Sequence, residues 1–233
     1  MKNYVLGGVF ALALWALSAT TTRADLIFTV TMDISALTDY TGPYGIAFDM
    51  ISGGSASSNT ATISDFTFGG ATMAEPTYTM GNVSGDLAAN PSAGITLEVD
   101  PVNSFAYFDQ GFTSGSTFTT LSFQVDLTTN PGSTPDTLAF LLVQNYTPGG
   151  LFSGSSTPIL TPALDSSFFD VSIGPGATPV TYSSSAGDIS APTITPAVAA
   201  PEPSTLMLSA ISLASFGLAA GWKRLRRRVA AAA

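Results

Sequence analysis

The sequence predicts an all-β domain, a jelly-roll-like β-sandwich of roughly nine to eleven short strands. Apolar and polar residues alternate with a period of two in many short segments. Gly- and Pro-rich turns separate these segments from one another. No window between residues 25 and 177 keeps a helical period over three turns. We therefore assign 25–177 to the sandwich domain.

The strands follow one another along this stretch. The alternating runs that predict them lie at 26–32, 46–50, 95–99, 121–127 and 169–173. The segment from Leu138 to Val143 is apolar on both faces, which predicts a central strand covered on each side. The apolar phase slips between Ile63 and Phe66, which predicts a bulge or turn near Ser64-Asp65. From about Thr178 to 200 the chain is rich in Ser, Thr, Pro and Ala, and we expect a spacer there.

Residues 1–24 have the features of a removable signal peptide with a signal helix. Lys2 gives a positive start, and an apolar region from Val5 to Leu17 follows. Small residues at Thr22 and Ala24 predict cleavage between Ala24 and Asp25 by signal peptidase after passage through the secretion translocon. The alternative is a first transmembrane helix, for which this apolar run is short, because spanning takes about 20 residues.

The C-terminal region predicts a transmembrane helix over 204–222. This stretch has no charged residue, and as a helix it would span about 30 Å. A stop-transfer cluster follows it, made of Lys223, Arg224, Arg226, Arg227 and Arg228. By the positive-inside rule, this cluster places the C-terminus in the cytoplasm and the domain outside it. Residues 229–233 form a short Ala-rich end.

Pro201-Glu202-Pro203 stands directly before this helix. The triplet, the apolar span and the Arg-rich stop over 201–228 together resemble the PEP-CTERM family of sorting tails. The resemblance implies that Pro201, Glu202 and Pro203 are the recognition element for an exosortase in bacteria that export exopolysaccharide. It also implies that the helix is later removed. The alternative is a permanent single-pass anchor.

The middle of the chain is similar to one family of PEP-CTERM-tailed proteins of unknown activity. The matching segments are 108–112, 121–130 and Pro135-Asp136 before Leu138. This resemblance implies no catalytic residues. The precursor is expected in the inner membrane, and the mature domain in the periplasm, at the cell surface or outside the cell.

The distribution of charge excludes several function classes. All seven Lys and Arg lie at the two ends, so residues 24–222 hold sixteen acids and no base. Such a domain cannot bind nucleic acid or anionic lipid through charge. The chain also has no Cys and no His, which excludes Ser-His-Asp and Cys-His catalysis and His-bound zinc.

Carboxylate chemistry is what remains. Glu98 and Asp100 are at alternate positions and therefore share one face of a strand. Two such carboxylates could form the catalytic pair of a glycosidase, but any solvent-exposed strand face has the same pattern. Asp109-Gln110 and Asp126 near Asn130 are loose calcium candidates without a recognised loop spacing. The metal site therefore stays unknown, calcium stays open, and no other cofactor and no enzyme activity are expected.

Three classes of function remain open. The first is a structural or adhesive protein of the cell surface or matrix, with exopolysaccharide as a partner. The second is a lectin-like carbohydrate-binding module, calcium-dependent or not, whose sugar-stacking candidates are Tyr40, Tyr44, Tyr107 and Tyr146. The third is ice or flat-surface binding, suggested by three Thr-x-Thr steps at Thr29/Thr31, Thr60/Thr62 and Thr77/Thr79.

Overall fold

Two antiparallel sheets packed face to face form the domain, as a computed structural model shows. It describes residues 24–197 apart from 55–57, 88, 114–118, 130–134, 164 and 174–177. The described part contains almost no helix, so the prediction of an all-β sandwich is confirmed. The predicted signal helix and C-terminal transmembrane helix lie outside the described residues.

The first sheet has the strand order β13-β1-β8-β3-β6-β5, and every pairing is antiparallel. Its strands are β1 (Ala24–Asp33), β3 (Asn59–Thr67), β5 (Asn82–Gly85), β6 (Ile95–Val99), β8 (Thr120–Thr129) and β13 (Thr193–Pro196). The β1–β8 ladder is the longest, running from Ala24 opposite Thr129 to Asp33 opposite Thr120.

The second sheet has the order β12-β11-β9-β2-β7-β4, with β10 paired to one end of β9. Its strands are β2 (Tyr44–Ile51), β4 (Thr72–Met80), β7 (Phe105–Thr113), β9 (Asp136–Gln144), β10 (Thr157–Pro158), β11 (Phe169–Ile173) and β12 (Val180–Thr181). Two short helical segments lie outside the sheets, a 3₁₀ helix at Ser35–Asp39 and a one-turn helix, α1, at Gly150–Ser153.

The core between the sheets is rich in phenylalanine. Phe48 of the second sheet meets Phe123 of the first edge to face, with ring centroids 5.3 Å apart. Phe28 meets Phe169 in the same way at 6.0 Å. Such edge-to-face pairs add about 0.5–1.5 kcal/mol each beyond the burial of their area. The inward halves of the alternating strands thus join the sheets.

Two local predictions are confirmed. Leu138, Phe140 and Leu142 of β9 enter the core, while Ala139, Leu141 and Val143 are buried on the opposite face. The β3–β8 ladder shifts register between Ser64 and Thr67, and Asp65 has a positive φ of 53°. Both features follow from the sequence, since the first is a run apolar on both faces and the second a break in alternation.

The spacer predicted for 178–200 is wrong over its described part. Val180–Thr181 pairs with β11, Thr193–Pro196 pairs with β1, and Ile189 is fully buried. Both strands are edge strands, where Pro and a polar outer face are tolerated. The domain therefore continues past 177 to Ala197. The described residues form thirteen strands, above the predicted number because β10 and β12 are two-residue pairings and β13 was not expected.

Candidate functional site

The outer face of the second sheet carries a group of polar and aromatic side chains. The segment 145–158, here called the strap, includes α1 and β10 and contributes Tyr146 and Leu151 to a second apolar cluster on this face. The buried members of that cluster are Ala47, Tyr107, Ala139, Leu141, Val143 and Tyr146. The strap therefore buries part of a sheet face that would otherwise meet solvent.

Tyr146 lies over two glycines. Gly45 of β2 and Gly111 of β7 are direct register partners. A Cβ atom at Gly45 would lie 2.3 Å from Cδ2 of Tyr146, and one at Gly111 would lie 2.4 Å from Cε1. Real Cβ contacts of that length do not occur, so the ring occupies the space that two side chains would fill. The glycine pair makes the depression in which Tyr146 sits.

Asp109 holds the strap to the sheet through its carboxylate. The Tyr146 hydroxyl donates to Oδ1 at 2.8 Å, and the Tyr107 hydroxyl donates to Oδ2 at 3.0 Å. The backbone N–H of Gly149 also donates to Oδ2, at 3.1 Å. Burial raises the pKa of Asp109, and these hydrogen bonds oppose the rise. Its acceptor sites are thus occupied by groups of the protein itself.

An aromatic group lies at the edge of the strap. Phe152 packs edge to face on Tyr107, with centroids 4.6 Å apart, and it also contacts Phe105 and Tyr78. Half of Phe152, 51%, stays exposed. Phe152 therefore covers Tyr107, and its own ring stays partly open to solvent.

A cleft lies beside β11 on the same sheet, and we call it the acidic cleft. Its volume is about 430 Å³. Its lining residues are Thr137, Ala163, Asp165, Asp170, Ser172, Thr178, Val180 and Tyr182. Phe169, Val171 and Ile173 point into the core, which turns Asp170 and Ser172 outward. Because the residues of β11 alternate between the core and the outer face, the Asp170 carboxylate and the Ser172 hydroxyl line the cleft.

Asp49 extends this acidic group onto β2. In the register of the sheet, Asp49 pairs with Ala139, and Ala139 pairs with Asp170. Burial, together with repulsion by the carboxylates of Asp165 and Asp170, raises the pKa of Asp49 to about 7. Burial also raises the pKa of Asp170, a hydrogen bond from the Ser167 hydroxyl opposes the rise, and Asp165 adds a smaller increase by repulsion. Because residues 24–222 contain no base, none of these carboxylates has an ion-pair partner in the described structure.

The calcium candidates from the sequence are not brought together. Asp109 serves the strap, while Gln110 is buried and donates from Nε2 to the carbonyl oxygen of Gly111. Asp126 lies on β8 in the first sheet, and Asn130 is outside the described residues. Within the described part of the chain, no three His, Cys, Asp or Glu side chains are grouped so that they could hold a metal ion.

The two carboxylates suggested as a glycosidase pair, Glu98 and Asp100, have separate structural roles. Glu98 accepts a hydrogen bond from Nδ2 of Asn82 at 2.7 Å across the β5–β6 ladder. Asp100 follows β6 and closes a turn by accepting from the backbone N–H groups of Val102 and Asn103. These hydrogen bonds lower the pKa of Asp100. Both carboxylates are thus engaged in local structure.

The tyrosines suggested for sugar stacking are mostly inside the domain. Tyr44, Tyr107 and Tyr146 are buried. Tyr40 is partly exposed and donates its hydroxyl to Oδ1 of Asp188 at 2.8 Å. An open stacking surface made of these four residues does not exist in the structure.

Two of the three Thr-x-Thr steps share a face. Thr29/Thr31 of β1 and Thr60/Thr62 of β3 lie on the outer face of the first sheet, with β8 between the two strands. Hydroxyls pair across this face, as in Thr60 with Thr128 at 2.9 Å and Thr62 with Thr96 at 3.1 Å. The third step, Thr77/Thr79, lies on β4 in the other sheet.

The targeting residues are mostly outside the described structure. Pro201, Glu202 and Pro203 lie there, as do the five bases of the stop-transfer cluster. Ala24 and Asp25 are described as the first residues of β1, opposite Thr129 and Thr128. In the stretch from 24 to 197, with its gaps, there is no helix with the length and hydropathy needed to cross a membrane.

The sequence analysis above does not predict Asp49, Asp165 or Asp170 as site residues. A signal existed at Asp49, since an acid alternates there with Phe48 and Met50 in an otherwise apolar strand. Asp165 comes from a loop, and its approach to Asp170 depends on a chain path that periodicity does not give. The Gly45–Gly111 pair needed the register of β2 and β7, which the sequence does not specify.

Comparison of the chain with protein-family models, with curated proteins and with solved structures found no match.

Proposed function

We propose that this chain is an exported structural or adhesive protein of the cell surface or extracellular matrix, sorted by its C-terminal tail and processed by an exosortase. The observation that carries the proposal is the order Pro201-Glu202-Pro203, apolar span and Arg-rich cluster after an acidic domain. The role is non-catalytic in this proposal. The buried carboxylate Asp109 fits it, because it accepts two hydrogen bonds from the strap and so has a structural role.

The fold within this proposal is a jelly roll. The strands β1 and β8, β2 and β7, and β3 and β6 are neighbours, and β4 runs into β5 through Gly81. A long hairpin that is folded back on itself has these strand pairs, and a jelly roll is such a fold. The additional strands β9 to β13 widen the two sheets, which suits a broad contact surface.

A change of the sorting triplet tests the proposal. In the native host, replacement of Pro201, Glu202 and Pro203 by Ala should leave a precursor in the inner membrane, while the unchanged protein is found outside it. The matched control replaces Pro192 and Pro196 by Ala, outside the triplet. Immunoblots of membrane and extracellular fractions give the readout. Release of the triplet variant in unchanged amounts would argue against exosortase processing.

Flat-surface or ice binding is a second candidate, favoured by the shared outer face of Thr29/Thr31 and Thr60/Thr62. Because β8 lies between β1 and β3, the two steps are about 9.6 Å apart across the sheet, and the Thr residues of each step are about 6.8 Å apart along the strand. Thermal hysteresis that is lost on changing Thr31 and Thr62 to Ala would support this candidate. The control is Thr79→Ala on the other sheet, and no hysteresis in the unchanged protein disposes of the idea.

A further inference from the structure

The bond at which signal peptidase is expected to cut lies inside a strand of the folded domain. β1 begins at Ala24, and its register places Ala24 opposite Thr129 of β8. Asp25 is the next residue of β1 and lies opposite Thr128. The sequence predicts cleavage between Ala24 and Asp25. In the folded domain this bond is therefore part of the β1–β8 ladder.

The start of β1 is attached to the domain on more than one side. Leu26 packs against the core, and Phe28 is buried in it. From the side opposite β8, the backbone N–H of Ala197 donates to the carbonyl oxygen of Ile27 at 2.9 Å. A protease reaches a bond within such a sheet only when the strand opens locally. That opening would break the first pairs of the ladder and move Leu26 away from the core.

Both neighbours of β1 come from late in the chain. In the sheet order β1 lies between β8 and β13. Thr120, the first residue of β8, is 96 positions after Ala24, and Thr193, the first of β13, is 169 positions after it. At a synthesis rate of about 5–20 residues/s, β8 is made roughly 5–20 s after the start of β1. During that interval the cleavage segment has neither strand to pair with.

We propose that the domain crosses the membrane unfolded, and that signal peptidase cuts it before β1 joins the sheet, because folding closes the bond. The hydrolysis adds water across the bond, which leaves a carboxylate on Ala24 and an ammonium group on Asp25. Cleavage therefore comes after the start of β1 is made and before β1 pairs with β8. This inference rests on the expected signal peptide and is independent of the sorting tail.

Cleavage of the full-length precursor by purified signal peptidase in detergent tests this order. One sample is refolded from urea before the enzyme is added, and the other is diluted from urea directly into the enzyme. We expect the initial rate to be at least about tenfold lower for the refolded sample, because cleavage then follows the small population of the locally opened strand. Mass spectrometry of a product that begins at Asp25 gives the readout.

A proline variant tests whether the ladder itself protects the bond. Thr128→Pro removes a backbone donor from β8 opposite Asp25 and leaves the cleavage segment unchanged. It should raise the cleavage rate of the refolded precursor about tenfold. The matched control is Thr120→Pro at the other end of the same ladder, opposite Asp33, which should leave the rate unchanged. Far-UV circular dichroism establishes that both variants keep their sheets.

Three results would overturn the inference. Equal rates for the refolded and the directly diluted precursor would show that the folded domain leaves the bond open. Equal acceleration by the two proline variants would show that pairing at the bond does not control cleavage. No cleavage of either sample would remove the bond between Ala24 and Asp25 as the processed one. If a proline variant fails to fold, the two samples of the unchanged protein still decide, and a failed sorting test leaves the result untouched.

Discussion

Tyr146 and Gly111 form a steric pair at the residue scale. The φ angle of Gly111 is outside the left-handed region, so its backbone would accept Ala, and only the Tyr146 ring opposes the new Cβ. We expect Gly111→Ala to destabilise the domain by about 1–3 kcal/mol, the usual cost of overpacking. Urea unfolding followed by far-UV circular dichroism measures the free energy of unfolding.

The double variant supplies the control for this pair. Tyr146→Ala alone should cost about 3–5 kcal/mol, because it empties the depression and leaves Asp109 without one donor. In the double variant, Gly111→Ala should cost at least about 1 kcal/mol less than it does alone, since nothing remains to clash. Strictly additive losses would show that the ring does not rest on Gly111.

Asp49 should make stability depend on pH. Its folded pKa of about 7 is above the ordinary aspartate value of 3.8, so the folded state keeps a proton that the unfolded chain releases. The associated stability is complete below pH 3.8 and is lost as the pH rises to about 7. The groups facing Asp49 are Asp165, Asp170 and Tyr107, and residues 24–222 contain no base to compensate them.

Asp49→Asn removes this dependence. When the pH is raised from 4 to 8, the free energy of unfolding of the variant should increase relative to that of the unchanged protein by roughly 2–4 kcal/mol. The reason is that each pKa unit corresponds to about 1.4 kcal/mol. Paired urea titrations at the two pH values measure the gain. Taking the difference between the two proteins cancels the titration of the other carboxylates. A difference that stays constant with pH would contradict the raised pKa.

The individual strands were largely predictable at the element scale, and their partners were not. The alternation in 121–127 and the double-sided run at 138–143 each identified a strand and its buried face. Alternation is a local property, so it carries no information on which strand lies alongside. The acidic cleft depends on β11 lying next to β9, which explains why Asp170 was not singled out.

The segment 178–197 shows where composition misleads. Ser, Thr, Pro and Ala are typical of linkers, but they also suit an edge strand with one polar face. Thr193–Pro196 extends the first sheet beyond β1, and Ile189 is buried in the core. Tyr40 and Ser184 donate to Asp188 and attach this segment to the 3₁₀ helix region.

A truncation tests this correction. A chain of residues 25–177 should be less stable than one of residues 25–197 by about 3 kcal/mol or more, because it loses β12, β13 and the buried Ile189. Urea unfolding of the two chains side by side gives the comparison. The same midpoint and the same slope for both would restore the spacer interpretation.

The whole molecule combines an acidic domain with two basic ends. All seven bases lie in the proposed signal peptide and in the C-terminal tail, and all sixteen acids lie between them. A product cut near Pro203 would carry strong negative charge without a single base. Self-repulsion of that kind favours solubility and hydration at a surface. The same negative charge attracts cationic partners.

Mass spectrometry of the mature protein from its native host tests the sorting proposal most directly. We expect an N-terminus at Asp25 and a C-terminus near Pro203, with the apolar span and the five bases absent. Processing at both ends would show a removable leader and a removable tail on one chain. A mature protein that still carries Lys223 to Arg228 would contradict processing by an exosortase and identify the C-terminal segment as a permanent anchor.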